Sequence, residues 1–192
     1  MSQSVERIAV CVLTCSHLCR HYQDEDGEQV VLLPSAVESA VRTYIESSYL
    51  LQQEADRVEV EISPICKEGL MMGFGDLNVR KHVSDSLYEA TYQSGIIIFL
   101  ILDHPNCACR SETDLNIEIS LLIASLRDSQ RFVYQWLESM NGWLPCRPIA
   151  AVMAGVVVQD RNHLSIMSVP GYESRAMRVI TDMDVSRLED DS

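Results

Sequence analysis

The chain has 192 residues, of which 47% are hydrophobic, and its formal net charge is -13. This length and apolar content suit one domain with a sizeable core, and we expect that domain over residues 1–188, with an acidic flexible end at 189–192. The negative field repels phosphate groups, so nucleic acid is not an expected partner. The longest apolar runs are about ten residues, half of what a membrane-spanning helix needs, so no transmembrane segment is expected.

The cysteines indicate whether the chain forms disulfide bonds and in which compartment it occurs. Seven cysteines are present, an odd number, and Cys11, Cys15 and Cys19 recur at every fourth residue. This spacing places the three on one helical face, where they would act as small buried hydrophobes in a reducing compartment. The N-terminus is unlike a secretory signal, so the sequence predicts a cytoplasmic protein without disulfide bonds.

Metal binding is the alternative interpretation of the cysteines. Two sets of side chains come into question: the regularly spaced cysteines with His17 or His21, and His104 with Cys107 and Cys109. Neither set has the paired C-x2-C spacing that is typical of zinc sites. The sequence therefore predicts no metal and no cofactor.

Helical patterns dominate the first half of the chain. Apolar residues at steps of three and four indicate a first helix over 5–22. Residues 24–29 are an acidic turn, and Ser35 with Glu38 makes the capping box of a second helix that runs toward Pro64. VEVEI at 58–62 alternates like a strand, but one short strand without an evident partner is a weak element, so helix continuation is favoured.

The segment IIIFLIL at 96–102 decides the predicted fold class. It follows an amphipathic helical stretch from Val83 and is apolar on every side, which fits either a central helix or a strand inside a sheet. Periodicity does not separate these two structures. Because almost no other segment offers a strand partner, we predict a buried central helix and therefore an all-α helical bundle.

The second half of the chain extends this prediction. A long amphipathic helix is predicted over 114–138, and it ends at Asn141 and Gly142, which tolerate the left-handed cap conformation. Two shorter helices are predicted near 148–158 and 173–188.

Three stretches of the chain stand in an informative order. LLQQEADRV occupies 50–58, SLYEATYQSGIIIF occupies 86–99, and WLESMNGW occupies 136–143, with two tryptophans around an Asn-Gly turn. They resemble the third, first and second homology motifs of the Bcl-2 family of apoptosis regulators. The resemblance implies a bundle of amphipathic helices around an apolar central helix. It also implies a structural corner, in which Trp136 and Trp143 pack together across the turn at Asn141 and Gly142.

The same resemblance implies a hydrophobic groove for a ligand helix. The groove residues would be Val58, Ile62, Val83, Leu87, Gln93, Gly95, Ile96 and Phe99. The apolar members of this set would also be core residues in almost any helical bundle. At Ile96 the chain departs from the family, which has an arginine there that pairs with an aspartate of the ligand helix. Ligand binding without that ion pair would be weaker, more apolar or differently oriented.

By resemblance, we expect an inhibitor of apoptosis that sequesters the homology-3 helices of pro-apoptotic family members. It would act in the cytoplasm, or peripherally at mitochondria through protein partners. The missing membrane anchor and the short first connector are similar to those of soluble viral members, which implies host–virus interaction. Within the family, a pro-apoptotic role is the alternative.

An alternative of another class is a helical adaptor or self-associating protein, including a homodimer formed through an unoccupied apolar groove. Catalysis is not expected, because the chain contains no G-x-S-x-G elbow, no H-E-x-x-H pair and no phosphate-binding G-x-x-x-x-G-K loop. The sequence therefore predicts a binding protein and not an enzyme.

Overall fold

The computed structural model describes residues 6–24, 27, 29–47, 58–67, 77–92, 96–107, 114–140, 149–160 and 163–169. The strands are β1 (Glu6–Cys15), β2 (Arg20–Gln23), β3 (Gln29–Leu32), β4 (Val58–Lys67), β5 (Ile96–Asp103), β6 (Ile149–Asp160) and β7 (His163–Ser168). The helices are α1 (Ser35–Glu46), α2 (Leu77–Ala90) and α3 (Leu115–Ser139). The protein is therefore a mixed α/β fold, and the predicted all-α helical bundle is wrong.

Five strands form the main sheet, in the order β4-β1-β5-β6-β7. The first four in this order are mutually parallel, and β7 runs antiparallel to β6 at one edge. Strands β2 and β3 form a separate antiparallel pair. Their connection contains Gly27, whose φ of 82° suits a glycine and whose N–H donates to the carbonyl of Asp24 at 3.1 Å. This confirms the predicted acidic turn.

The helices cover the two faces of the main sheet. Helix α1 packs on one face through an apolar layer that includes Val41 and Ile45. Helices α2 and α3 pack on the other face through a layer that includes Leu87 and Leu126. Since successive side chains of a strand point to opposite faces, the central strands β1 and β5 contribute to both layers and must be apolar throughout.

Burial on both faces explains why the predicted first helix and the predicted central helix are wrong. Residues 8–13 of β1 and 97–102 of β5 are nearly continuous apolar runs that lie at 5% exposure or less. Such runs carry no two-residue alternation, and steps of three and four occur in them by chance. The strands that pair with β5 are themselves apolar segments that the sequence predicted to be helices. Residues 149–160 form one of them, β6, and not the predicted short helix near 148–158.

Strand β4 lies at the opposite edge of the sheet and pairs only with β1 in the described structure. It shows the alternation of a half-buried strand, with Glu59 and Glu61 exposed and Val60 buried. Pro64 fits within it because an edge strand has one side without ladder hydrogen bonds. The strand that the sequence suggested at 58–62 therefore exists, and the favoured continuation of helix two toward Pro64 is wrong.

Helix α1 keeps only the first part of the predicted second helix. Its N-cap is Pro34, without a side-chain capping bond, so the predicted capping box from Ser35 and Glu38 is wrong. Glu38 lies instead 3.5 Å from a guanidinium nitrogen of Arg42. A second guanidinium nitrogen of Arg42, Nη1, donates to the carbonyl of Val60 at 3.1 Å, which connects α1 to the edge strand β4.

The two strongly amphipathic predictions are confirmed. Helix α3 spans Leu115–Ser139, close to the predicted 114–138, and the Asp114 side chain caps it by accepting from the backbone N–H groups of Asn116 and Ile117. Helix α2 matches the amphipathic stretch around Val83 and Leu87, which are both fully buried. None of the three described helices has the length together with the apolar content that crossing a membrane requires.

The connections of the sheet create one special position. From β1 the chain passes through α1 to β4 on one side of β1, and the next strand, β5, pairs with the other side of β1. In open α/β sheets, ligands bind beyond the carboxyl ends of the strands where the order reverses in this way. Here that position lies beyond Cys15, the last residue of β1, and Asp103, the last residue of β5.

Candidate functional site

Four sulfur and nitrogen side chains gather at the carboxyl ends of β1 and β5. Cys15 is the last residue of β1, and His17 follows it in a short 3-10 turn over Ser16–Leu18. His104 and Cys107 follow β5 in the loop that leads toward α3. We call Cys15, His17, His104 and Cys107 the Cys–His cluster. Both cysteines are buried, whereas His17 is exposed, so the cluster reaches the protein surface on the His17 side.

The distances within the Cys–His cluster are short. The Sγ atoms of Cys15 and Cys107 lie 3.7 Å apart, although 92 positions separate them in sequence. Nδ1 of His17 lies 3.1 Å from Sγ of Cys15 and 3.6 Å from Sγ of Cys107. The rings of His17 and His104 stand edge to face, with centroids 6.5 Å apart. Three potential ligand atoms therefore form a compact triangle, with a second imidazole beside it.

Two buried carboxylates hold the loop that carries His104 and Cys107. Oδ1 of Asp103 accepts from the backbone N–H of His104 at 2.8 Å. Glu118, in the first turn of α3, accepts from the backbone N–H of Asn106. Asn106 itself has a φ of 57°, the left-handed conformation that asparagine tolerates better than most residues. The loop is therefore fixed from the sheet side and from the helix side.

The thiol of Cys15 is shifted toward its thiolate form. Burial alone would raise its pKa, but a hydrogen bond with the His104 side chain, others with the backbone and side chain of His17, and one with Cys107 outweigh burial and lower the pKa to about 5. Thiolates are the nucleophilic and metal-binding form of cysteine. The surroundings of Cys15 therefore favour the chemically active form of this side chain.

His104 responds in the opposite direction. Its hydrogen bond with Cys15 raises its pKa, burial lowers it, and the carbonyl of Pro105 and the charge of Asp103 raise it further, so the net shift is upward. Nδ1 of His104 lies 2.9 Å from the carbonyl oxygen of Pro105. Because a carbonyl oxygen only accepts, Nδ1 carries a proton, and Nε2 is the nitrogen left for a ligand or a thiolate.

Comparison with Cys11 shows that the lowered pKa of Cys15 results from its position at the strand end and not from its being a cysteine. It lies four residues before Cys15 on the same face of β1, inside the apolar layer under α2 and α3. Burial, together with the nearby charge of Glu61, raises the pKa of its thiol to about 12. Cys11 is a core residue, as the sequence predicted. Cys19 is disulfide-bonded, so the expectation that every cysteine is a reduced thiol is wrong there.

The two metal alternatives of the sequence analysis meet in the Cys–His cluster. One had placed Cys15 with His17, and the other had placed His104 with Cys107, but the structure brings the two pairs together. His21 lies in β2, exposed and outside the cluster. Cys109 lies outside the described residues. The sequence did not reveal this combination, because only the parallel pairing of β1 with β5 brings the two loops together.

The predicted groove residues do not lie on adjacent helices. Val58 and Ile62 belong to β4, Val83 and Leu87 to α2, and Ile96 and Phe99 to β5. Gln93 and Gly95 lie outside the described residues. Phe99 is fully buried in the layer between β5 and the two helices, and Val83 and Leu87 face the same layer. Ile62 packs against the layer on the other face of the sheet. Ile96 pairs with Ile8 of β1.

The predicted tryptophan corner is described only in part. Trp136 lies in the last turn of α3 and packs, half-buried, against the apolar layer below that helix. Asn141, Gly142 and Trp143 lie outside the described residues. Inhibition of apoptosis and binding of homology-3 helices stay predictions that nothing here tests, and the helical bundle on which the predicted groove depended is not present.

Comparison with known proteins identifies no relative of this chain. No protein-family model, no curated protein and no solved structure matches the chain. Any function of the Cys–His cluster therefore has to be argued from its own chemistry.

Proposed function

We propose that the protein binds one zinc ion through Cys15, His17 and Cys107, with His104 as the fourth ligand. The observation that carries the proposal is the triangle of ligand atoms at the carboxyl ends of β1 and β5. Zinc in proteins is held mainly by thiolate sulfur and imidazole nitrogen, and sites with two cysteines and two histidines are a common tetrahedral form.

The size of the triangle supports tetrahedral coordination. With the usual zinc–ligand bond lengths, two tetrahedral sulfur ligands lie about 3.8 Å apart, and a sulfur and a nitrogen ligand lie about 3.6 Å apart. The two Sγ atoms are separated by 3.7 Å, and Nδ1 of His17 is 3.6 Å from Sγ of Cys107. The remaining edge, from His17 to Cys15, is 3.1 Å and would lengthen by about half an ångström when both atoms bind the metal.

His104 supports a closed site. A ring nitrogen of His104 lies within 4.8 Å of Sγ of Cys107, so a small approach of the His17, Cys15 and Cys107 side chains toward His104 would complete the tetrahedron. The bond from its Nδ1 to the carbonyl of Pro105 is the contact that metal-binding histidines usually make with their second nitrogen, because it fixes the ring and leaves Nε2 for the ion. Soft sulfur ligands favour zinc over magnesium or calcium, which prefer oxygen.

Such a site would join the ends of the two central strands. Its ligands come from two loops that lie side by side only in the folded protein, so binding free energy would act as folding free energy. With four protein ligands the ion would have no open position for a substrate. The proposed role is therefore a zinc-stabilised junction.

The test is metal analysis of the purified full-length chain. After removal of metal under reducing conditions and titration with zinc against a chromophoric chelator, we expect one tightly bound zinc per chain. Cobalt in place of zinc should give intense visible bands of a tetrahedral site together with thiolate-to-cobalt charge transfer. X-ray absorption should report two sulfur and two nitrogen neighbours.

Matched variants locate the site. Cys107→Ser and His17→Ala should each lower zinc affinity by at least 100-fold, while Cys11→Ser and His21→Ala, which change the same residue types outside the cluster, should leave it unchanged. His104→Ala should keep the ion but replace one nitrogen neighbour with oxygen. Absence of stoichiometric zinc, or equal loss of binding in the Cys11 and Cys107 variants, would contradict the proposal.

A further inference from the structure

The paired thiols of the Cys–His cluster suggest a second chemistry for the same site. Cys15 and Cys107 both carry thiols, and their Sγ atoms lie 3.7 Å apart. A disulfide requires a sulfur–sulfur distance of about 2.05 Å, so the two sulfur atoms need to approach by roughly 1.7 Å. We infer that Cys15 and Cys107 form a reversible disulfide that a peroxide creates and that expels the metal. For the metal, the inference rests on the proposed function.

The backbone positions of the two cysteines favour this approach. Cys15 ends a strand and Cys107 lies in a loop, so neither is held at the centre of the sheet ladder. The two residues come from separate segments, and side-chain rotation at both ends can share the movement. By contrast, Cys11 lies about 13 Å back along β1 from Cys15, given the rise of about 3.3 Å per strand residue. Its place inside the apolar layer separates it from Cys107.

Access to the thiols comes from the His17 side. Both cysteines are buried, but the histidine that contacts them is exposed and lies in a short turn at the protein surface. A small oxidant such as hydrogen peroxide is close in size to water and can reach a sulfur past one side chain. A bulky disulfide such as oxidised glutathione would need a wider opening. The inferred oxidant class is therefore a small hydroperoxide.

The reaction balances in two steps. One thiolate attacks a peroxide oxygen, so that a sulfur–oxygen bond forms and the oxygen–oxygen bond breaks; the hydroxide that leaves takes up a proton and becomes water. The second thiolate then attacks the oxidised sulfur, a sulfur–sulfur bond forms, and the sulfur–oxygen bond breaks to give a second water after protonation. In sum, the zinc dithiolate, one hydrogen peroxide and two protons give a disulfide, free Zn²⁺ and two waters.

The loss of metal follows from the ligand count. A disulfide sulfur is a poor zinc ligand because it carries no thiolate charge, so oxidation would leave the ion with His17 and His104 alone. A dithiol reductant supplies the two electrons that restore both thiolates and the site. The Cys–His cluster would thus couple metal occupancy at the junction of β1 and β5 to the peroxide level.

The experiment compares metal-free and zinc-loaded full-length protein treated with one equivalent of hydrogen peroxide. After alkylation of the remaining thiols and digestion with chymotrypsin, which cleaves after Leu18 and so separates Cys15 from Cys19, mass spectrometry should find the peptides of Cys15 and Cys107 linked. In the zinc-loaded sample, a colorimetric chelator should detect one zinc released for each link formed. A dithiol reductant should reverse both signals.

Controls and outcomes separate this inference from the proposed zinc site. Cys11→Ser and Cys109→Ser should leave the link and the zinc release unchanged, whereas Cys107→Ser should abolish the link. A link in metal-free protein, together with no zinc bound by any preparation, refutes the zinc site but keeps the dithiol couple. Normal zinc binding without a Cys15–Cys107 link after peroxide overturns the inference and leaves the zinc site standing. Cys107 and Cys109 lie on one chymotryptic peptide, so fragmentation of the linked peptides between these two residues assigns the link in the unmodified chain. The result then does not depend on whether a variant folds.

Discussion

The middle of strands β1 and β5 and their carboxyl ends differ in the chemistry of their surroundings. In the middle of β1 and β5, side chains such as Leu13 and Phe99 are fully buried in the apolar layer under α2 and α3. Strand β1 ends in Cys15, two residues after Leu13, and β5 ends in Asp103, four residues after Phe99; the loops that carry the two histidines follow. The middle stabilises the fold through burial, whereas the end places polar side chains where a ligand can reach them.

Cys11 and Cys15 make this comparison within one strand and one residue type. Burial raises the pKa of Cys11 to about 12, while the histidines around Cys15 offset its burial and lower its pKa to about 5. Four residues of strand separate an inert thiol from a reactive one. What decides is the set of polar neighbours, since both side chains are almost completely removed from solvent.

The largest effect is expected from a cavity in the middle of the sheet. Phe99→Ala should lower the free energy of unfolding by about 3 to 5 kcal/mol, because it removes a fully buried aromatic ring from the layer under α2 and α3. Urea unfolding measures the change. Ile119→Ala, at a helix position that is 41% exposed, should stay within about 0.5 kcal/mol. Equal losses in both variants would contradict the distinction between core and surface.

Metal removal tests the carboxyl ends of β1 and β5 through the same quantity, the free energy of unfolding. If zinc binds at the Cys–His cluster, free zinc at 100 times its dissociation constant should raise the free energy of unfolding by about 2.7 kcal/mol, and a chelator should reverse the gain. Cys107→Ser should show no difference between zinc and chelator. A gain of the same size in Cys107→Ser would move the binding site elsewhere.

A smaller effect is expected in the loop that follows β5. Asn106 has a φ of 57°, and alanine in that conformation is strained by about 1 kcal/mol. Asn106→Ala should lower the free energy of unfolding by about that amount, whereas Asn106→Gly, which accepts the conformation, should not. If the glycine variant loses as much as the alanine variant, the asparagine side chain and not the backbone conformation is responsible.

The titration of the Cys15 thiol is the smallest effect, and it tests the difference between Cys15 and Cys11 directly. In metal-free reduced protein, the ultraviolet absorbance of a thiolate should appear as pH rises through about 5. Cys11→Ser should keep this step, because the pKa of Cys11 near 12 leaves it a neutral thiol throughout that range. His104→Ala should move the step to higher pH, since the hydrogen bond from His104 favours the thiolate. A step that survives in Cys15→Ser would assign it to another group.

The sequence patterns predicted the amphipathic helices α2 and α3 and missed the strands of the main sheet. Helix α3 was predicted within a few residues, because one of its sides faces solvent and the other faces the layer that contains Leu122 and Leu126. Strand β5 was predicted as a helix, because its side chains are apolar on both faces and leave no period to detect. The fold class changed with that one segment, since β5 pairs with both β1 and β6.

The sequence suggested the residues of the Cys–His cluster as alternative metal ligands, but it predicted no metal site and did not bring the four side chains together. His17 and His104 were each grouped with the cysteines near them in sequence, and neither group alone was convincing. The contact between Cys15 and Cys107 joins residues 92 positions apart, which no local spacing can indicate. Glu118 gave no signal at all, although it accepts from the backbone of Asn106 and so holds the loop.

By itself, the sequence determined the length of the apolar segments, the amphipathic helices α2 and α3, the acidic turn before β3 and the supply of thiols and imidazoles. These features depend on neighbours within a few residues, where side-chain period and turn chemistry act directly. Only the tertiary structure decided that the apolar runs pair side by side as parallel strands. That pairing sets Thr14 of β1 opposite Leu102 of β5 and brings the ends of the two strands together. It thereby combines Cys15 and His17 with His104 and Cys107 in one site.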